Sequence, residues 1–136
     1  MADAIHLDIF TPEKVVFSDS IETVTAPGSL GEFGVLPGHA ALVTTLEIGE
    51  VTIKKDNREY WLAISSGFAE VENDKVTILA EAAELAQEID TKRAEIAKVQ
   101  AEEKLKNLSS DDSQFSEVSL ALNRATNRIK VSARKI

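Results

Sequence analysis

Near residue 85 the hydrophobic pattern changes its period from two to nearly four, so the chain cannot be built on one architecture throughout. Before that point Ile5, Leu7 and Ile9 alternate with His6, Asp8 and Phe10, and Val51 and Ile53 alternate with polar neighbours. YWLAIS, FAEV and KVTILA are further short runs rich in β-branched or aromatic residues. Thr11-Pro12, Pro27-Gly28, Pro37-Gly38, Gly49, Asp56-Asn57, Gly67 and Asn73-Asp74 separate them with turn-forming residues. Closely spaced short strands of this kind predict a β-sandwich or small barrel with no helix of useful length.

After Ala80 glycine and proline cease, and Ala, Glu, Lys and Leu dominate. The spacing predicts one helix from Leu85 to Leu108, about 30 Å long. It has two stripes on nearly opposite sides: Leu85, Ile89, Ile96 and Val99 on one, and Ala94, Ala97, Ala101, Leu105 and Leu108 on the other. The first stripe is expected to face the β domain, while the alanines let a second helix approach closely. NLSSDDSQ breaks the helix and offers Ser and Asp as the next N-cap. A second helix is expected from Ser113 to Val131, burying Phe115, Val118, Leu122, Ala125 and Ile129. The result is a helical hairpin joined to a β domain.

A chain of 136 residues, 43% hydrophobic and 28% charged, can bury a real core and is neither disordered nor membrane-embedded in composition. No apolar run approaches the roughly 20 residues that span a bilayer. The opening MADAIHLDIF has no basic segment and no continuous apolar stretch, so it is expected to be a mature N-terminus rather than a leader. With no cysteine, disulfides, thiolate nucleophiles and Cys-ligated zinc are excluded. A net charge of -8 disfavours non-specific binding to nucleic acid or anionic lipid.

Catalytic chemistry finds little support. His6 and His39 have no second His or Cys at ligand spacing, and ISSGF around Ser65 and Ser66 is not a nucleophile elbow. GEFGVLPGHAAL packs three glycines, a proline and a histidine into twelve residues without a phosphate-binding pattern. Gly31, Gly34 and Gly38 are expected to supply positive φ or close backbone approach, and Pro37 to start a turn. His39 is expected to satisfy nearby backbone through its ring, and Glu32 to stand at a loop tip where it can meet a partner. In EIDTKRAEIA, Asp90 and Arg93 are expected to pair along the helix surface. Arg124 and Arg128 share a face of the second helix and, with Arg93, could hold phosphates through their guanidinium forks. The acid-free series Arg124, Arg128, Lys130, Arg134 and Lys135 reads either as complement to the helix dipole or as a basic arm for an acidic partner.

These segments carry a family likeness. GEFGVLPGHAALVTTLEIGEV, preceded by TAPGS and followed by the alternating strands and by an Ala-rich hairpin opening with IDTKRA, resembles the ε subunit of bacterial and chloroplast F-type ATP synthases. The resemblance implies a flattened antiparallel β-sandwich over residues 1–84 and an antiparallel two-helix hairpin over 85–136. It implies a non-catalytic rotor-stalk subunit that touches the γ subunit, the c-ring and the α/β catalytic subunits and couples proton- or sodium-driven rotation to ATP synthesis. The site would be peripheral, on the cytoplasmic face of a bacterial plasma membrane, with the stromal side of a chloroplast thylakoid as the alternative.

Glu32 matches the position that contacts the c-ring in that family. The hairpin matches its inhibitor of ATP hydrolysis, with Arg124, Arg128, Lys130 and Arg134 as the basic contacts. No cofactor is required, but some members bind regulatory ATP through an Ile/Leu-Asp-x-x-Arg-Ala motif. Ile89, Asp90, Arg93 and Ala94 match it, and Glu84, Arg124 and Arg128 fall at matching places, while Gln100 replaces an arginine of those binders. Two helices burying only a modest apolar stripe could hold two packings within a few kcal/mol of each other. A stand-alone ATP-sensing module is the rival reading.

Overall fold

The computed structural model describes residues 4–135, so the first three residues of the expected N-terminus and the last residue of the tail lie outside it. The chain divides after Leu85 into two compact units. Each unit is built on one of the two periods.

The first unit holds ten strands among the described residues: β1 (Ile5–Phe10), β2 (Val15–Ile21), β3 (Thr23–Gly28), β4 (Gly31–Val35), β5 (Leu42–Leu46), β6 (Gly49–Lys55), β7 (Arg58–Ile64), β8 (Gly67–Glu72), β9 (Lys75–Ala80) and β10 (Ala83–Leu85). Their order is β10-β7-β6-β3-β5-β8-β9-β1-β2, with β4 paired to β3. All pairs are antiparallel except β1 with β9.

β3 meets β5 at only one residue pair, Gly28 with Leu46, and β2 runs into β3 with only Glu22 between them. The Glu22 amide donates to the Lys54 carbonyl at 2.8 Å, and the Lys55 ammonium pairs with Asp19, so β2 lies against β6. The sheet therefore folds over on itself and encloses the alternating inward side chains. Ile5, Leu7 and Ile9 on β1, Val51 and Ile53 on β6, and Val76 and Ile78 on β9 are each at most 1% exposed. Burial of each such side chain is worth roughly 1.5–3 kcal/mol.

Two hairpins are closed by two-residue turns, Asp56-Asn57 and Asn73-Asp74, with all four residues at positive φ. This is the type I′ geometry that follows the strand twist, which Asn and Asp tolerate best among residues with a side chain.

On the outer face the Ser18 hydroxyl donates to Asp8 at 2.6 Å and His6 Nε2 donates to the same oxygen at 3.1 Å. The Ser18 bond is the main cause that holds the Asp8 carboxyl below its ordinary value; partial burial opposes it, and His6 and Lys75 add to it. A depressed carboxyl contributes stability that is complete above the unfolded value and is lost as pH falls through the folded one. Ser18→Ala is therefore expected to raise the Asp8 titration midpoint and to cost about 1 kcal/mol at neutral pH. The difference should shrink as pH falls through the folded titration of Asp8, as urea melts at neutral and acidic pH would read. An equal cost at both pH values would assign the loss to packing instead.

In the second unit a single 3₁₀ turn, Ala86–Glu88, precedes α1 (Thr91–Lys106) and α2 (Phe115–Ser132). α1 starts later than its hydrophobic pattern predicts. Ala83–Leu85 pair with β7, and Asp90, in extended conformation, caps the helix. Leu85 and Ile89 thus lie outside α1, and Ile96 and Val99 are 57% and 55% exposed, so the expected apolar stripe does not exist as a buried face. The alanine stripe does better: Ala94 and Ala101 are buried, at 0% and 5% exposure. The two helices pack closely along one another. α2 begins without a side-chain cap; the Gln114 amide instead donates to Asp112 Oδ1 at 2.8 Å in a turn just before it.

Candidate functional site

Three features of the two units can meet a partner or ligand: the β3–β4 hairpin with the loop that follows it, the outer sheet face, and the N-terminal end of α1.

Gly28 pairs with Gly31 across a two-residue turn, and Leu30 at its tip is 99% exposed. Glu32 is therefore not at the tip, as expected from sequence, but one residue into β4, exposed and opposite Pro27. Gly31 has φ 128, a conformation that suits only glycine. Gly34 corrects the expectation: it needs neither positive φ nor close approach, since an added Cβ would find its nearest neighbour, Thr25 Oγ1, at 3.8 Å.

Pro37 and Gly38 form the centre of a type II turn, with Gly38 at φ 85 and the His39 amide donating to the Leu36 carbonyl at 3.1 Å. Gly38 also donates its amide to the Asp74 carboxylate at 2.7 Å, which ties this loop to the β8–β9 turn. His39 Nδ1 donates to the Ala40 carbonyl at 2.6 Å. The segment is a fixed architectural loop beside an exposed carboxylate and two exposed leucines, Leu30 and Leu36. A charge on a fixed, protruding element can steer and position a partner.

The outer face carries a feature that sequence reasoning missed. The register places Val15, Phe10, Leu79 and Phe68 in one row across four strands. Val15, Phe68 and Leu79 are 55%, 46% and 39% exposed, and a shallow apolar recess beside them is lined by Thr11, Pro12, Gly67 and Ala80. Outward positions of a solvated sheet are ordinarily polar, so a contiguous apolar row marks a contact surface. The signal was present in IHLDIF, where Phe10 occupies an outward position.

In the second unit Asp90 Oδ1 accepts from the Arg93 backbone amide at 3.1 Å. This replaces the expected ion pair: among the described residues the Asp90 and Arg93 side chains form none, because the carboxylate turns inward to cap the helix. The first turn contains Lys92 and Arg93 and no acid. The Lys135 ammonium lies 2.6 Å from the Ile89 carbonyl and 3.4 Å from Thr91 Oγ1. Three cations at a helix N-terminus oppose the macrodipole, and an anion there would offset that cost.

That contact also fixes α2 antiparallel to α1. On α2, Arg124 and Arg128 are half-buried; Lys130 in its last turn and Arg134 just past its end are exposed. Ile89 and Ala94, the two apolar members of the motif, are buried. Glu84 belongs to β10 in the first unit. Among the described residues no group of three or more His, Cys, Asp or Glu could hold a metal ion, and no helix is long and apolar enough to cross a membrane.

Residues 4–86 match the family model described as ATP synthase, Delta/Epsilon chain, beta-sandwich domain, and residues 87–133 match the long alpha-helix domain of the same chain. The chain belongs to the ATP synthase epsilon-chain family. An ATP synthase epsilon chain of Geotalea uraniireducens is 48% identical over 134 residues, covering 98% of this chain and 97% of that relative. One from Desulforamulus reducens is 45% identical over 132 residues, covering 97% and 99%.

Among solved structures, a chain of the Euglena gracilis mitochondrial ATP synthase, in a cryo-EM structure of OSCP, F1 and c-ring, superposes with a TM-score of 0.79 at 25% identity. It covers 91% of this chain and 78% of that one. A chain of the Tetrahymena thermophila central stalk and c-ring shares the fold with a TM-score of 0.66 at 12% identity, covering 94% and 96%. The β-sandwich and the two-helix unit of this epsilon-family chain thus correspond to the family's two domains in the same order.

Proposed function

We propose that this chain is a non-catalytic subunit of the central stalk of an F-type ATP synthase, transmitting ion-driven rotation between the c-ring and the catalytic head. The correspondence of both domains along nearly the whole chain carries this reading. An exposed hairpin and an exposed apolar row support two contacts. The β3–β4 hairpin presents Glu32 and Leu30 to the polar loops of the c-ring, and the apolar row through Phe10, Leu79 and Phe68 docks on the γ subunit.

The subunit sits at the membrane surface through its complex, on the cytoplasmic side in a bacterium. Glu32→Lys reverses a charge on an exposed strand position, so it should leave the melting curve unchanged. In the reconstituted synthase it is expected to lower ATP-driven ion pumping at least about twofold relative to hydrolysis. Unaltered pumping would remove Glu32 from the contact.

The helical unit is the inhibitory element of this proposal. Its basic residues Arg124, Arg128, Lys130 and Arg134 meet acidic segments of the catalytic subunits when the hairpin is extended. ATP is its regulatory ligand, held near Ile89, Asp90, Arg93 and Ala94 with Arg124 and Arg128 contributing. The clustered cations at the α1 N-terminus support an anionic ligand.

Because Asp90 is the helix cap, Asp90→Ala would confound ligand loss with helix fraying. Asp90→Asn keeps a capping oxygen and removes the charge. Calorimetry should show ATP binding weakened about tenfold by Arg93→Ala with unchanged helix content. An unaltered chain that binds no ATP would discard the ligand and leave the stalk assignment standing.

A further inference from the structure

The second unit contains a side-chain bridge that the stalk reading does not use and that the ATP reading draws on only for its charge. Lys135, just past the end of α2, reaches back to the segment that leads into α1: its ammonium donates to the Ile89 carbonyl at 2.6 Å and approaches the Thr91 hydroxyl at 3.4 Å. The Ile89 carbonyl lies between the 3₁₀ turn and the Asp90 cap and belongs to a residue only 2% exposed, so a water partner is hard to substitute for the lysine. The end of α2 also carries short-range bonds of its own, Ala133 to Ile129 at 3.3 Å, Arg134 to Val131 at 2.9 Å, Lys135 to Ser132 at 3.1 Å and the Ser132 hydroxyl to Ile129 at 2.8 Å. None of these reaches α1. Val131 is fully buried and Ser132 nearly so.

We propose that Lys135 is a latch that closes the open end of the helical hairpin, joining the last turn of α2 to the 86–91 segment. Helices joined at one end by the 107–114 connection separate first at the other end. A charge-assisted bond there therefore controls opening out of proportion to its area. The Asp112–Gln114 turn belongs to the connected end, so release of the latch lets the hairpin open about residues 107–114.

The latch is a property of the hairpin and stands or falls without the ATP synthase reading. Where that reading holds, the latch must break before the basic end of α2 can leave α1, so its loss favours the inhibitory form.

The test is native-state hydrogen exchange on the full chain, comparing the unaltered protein with Lys135→Met, which keeps the stem and removes the donors. The amides of Ile89 and Ala94 on one side and of Ala133 and Arg134 on the other are expected to exchange about fivefold faster in the variant, with sandwich amides unchanged. Unchanged exchange at all four amides would overturn the latch. Faster exchange confined to Ala133 and Arg134 would also overturn it, since that is fraying of the α2 end alone. Failure of the inhibitory reading would show separately, as unaltered ATP hydrolysis of the assembled head in a variant whose hairpin amides do exchange faster.

Discussion

Gly67→Ala is expected to destabilise the sandwich by about 3 kcal/mol or more, a larger effect than any single change in the motif around Pro37. An ideal Cβ on Gly67 would stand 1.9 Å from the Leu79 carbonyl oxygen and 2.8 Å from the Ala80 Cα, both of them backbone atoms of the paired strand β9. No rotamer change can relieve a clash between two backbones. The β8–β9 ladder must open where Gly67 pairs with Ala80, next to the Phe68–Leu79 pair of the apolar outer row. Urea melts read at constant m-value would show the loss as a lowered midpoint. Gly34→Ala is the control, expected to stay within about 0.5 kcal/mol because its nearest neighbour lies at 3.8 Å. A Gly67→Ala protein as stable as that control would refute the close approach.

Truncation after Leu85 is expected to raise ATP hydrolysis by the assembled head about threefold to tenfold while ion-coupled synthesis persists. The cut must fall after Leu85 and not before it. Ala83, Glu84 and Leu85 form β10 and pair with Ile64, Ala63 and Leu62 on β7, so a shorter fragment leaves the edge of β7 unpaired. The gain follows from removing every cation of the proposed inhibitory arm together with the helices that carry them. Rates are compared at saturating ATP, with coupling read as ATP-driven ion pumping. Unchanged hydrolysis would remove the inhibitory role and leave the coupling role of the sandwich intact; loss of pumping with unchanged hydrolysis would place the coupling contacts in the helical unit instead.

Much of the sandwich was legible because its physics is local and periodic. Alternation at Ile5, Leu7 and Ile9 names both the strand and the buried face, and Asp56-Asn57 and Asn73-Asp74 name the turns. The helical half was less legible for a physical reason. EAAELAQEI is compatible with helix, strand and 3₁₀ turn alike, since alanine imposes little of its own. What decided among them was β7, about twenty residues earlier in the chain, whose edge captures Ala83–Leu85, and Asp90, whose carboxylate starts the helix at Thr91 rather than at Leu85. The reading of Asp90 and Arg93 as an ion pair failed for the same cause. Their three-residue spacing fits a surface pair and an N-cap equally, and only the extended conformation of Asp90 separates them.

The candidate sites divide in the same way. The sequence by itself determined the change of period, the core-facing residues of the strands, the positive-φ turns and the family motifs at GEFGVLPGHA and IDTKRA, because each depends on neighbours a few residues apart. Only the tertiary structure decided which glycine is indispensable by contact, that Phe10, Phe68 and Leu79 form one apolar row, that Asp74 holds the Gly38 amide, and that Lys135 closes on Ile89. Each of those joins residues far apart in the chain, and their proximity is set by strand register and helix pairing, which no local pattern encodes.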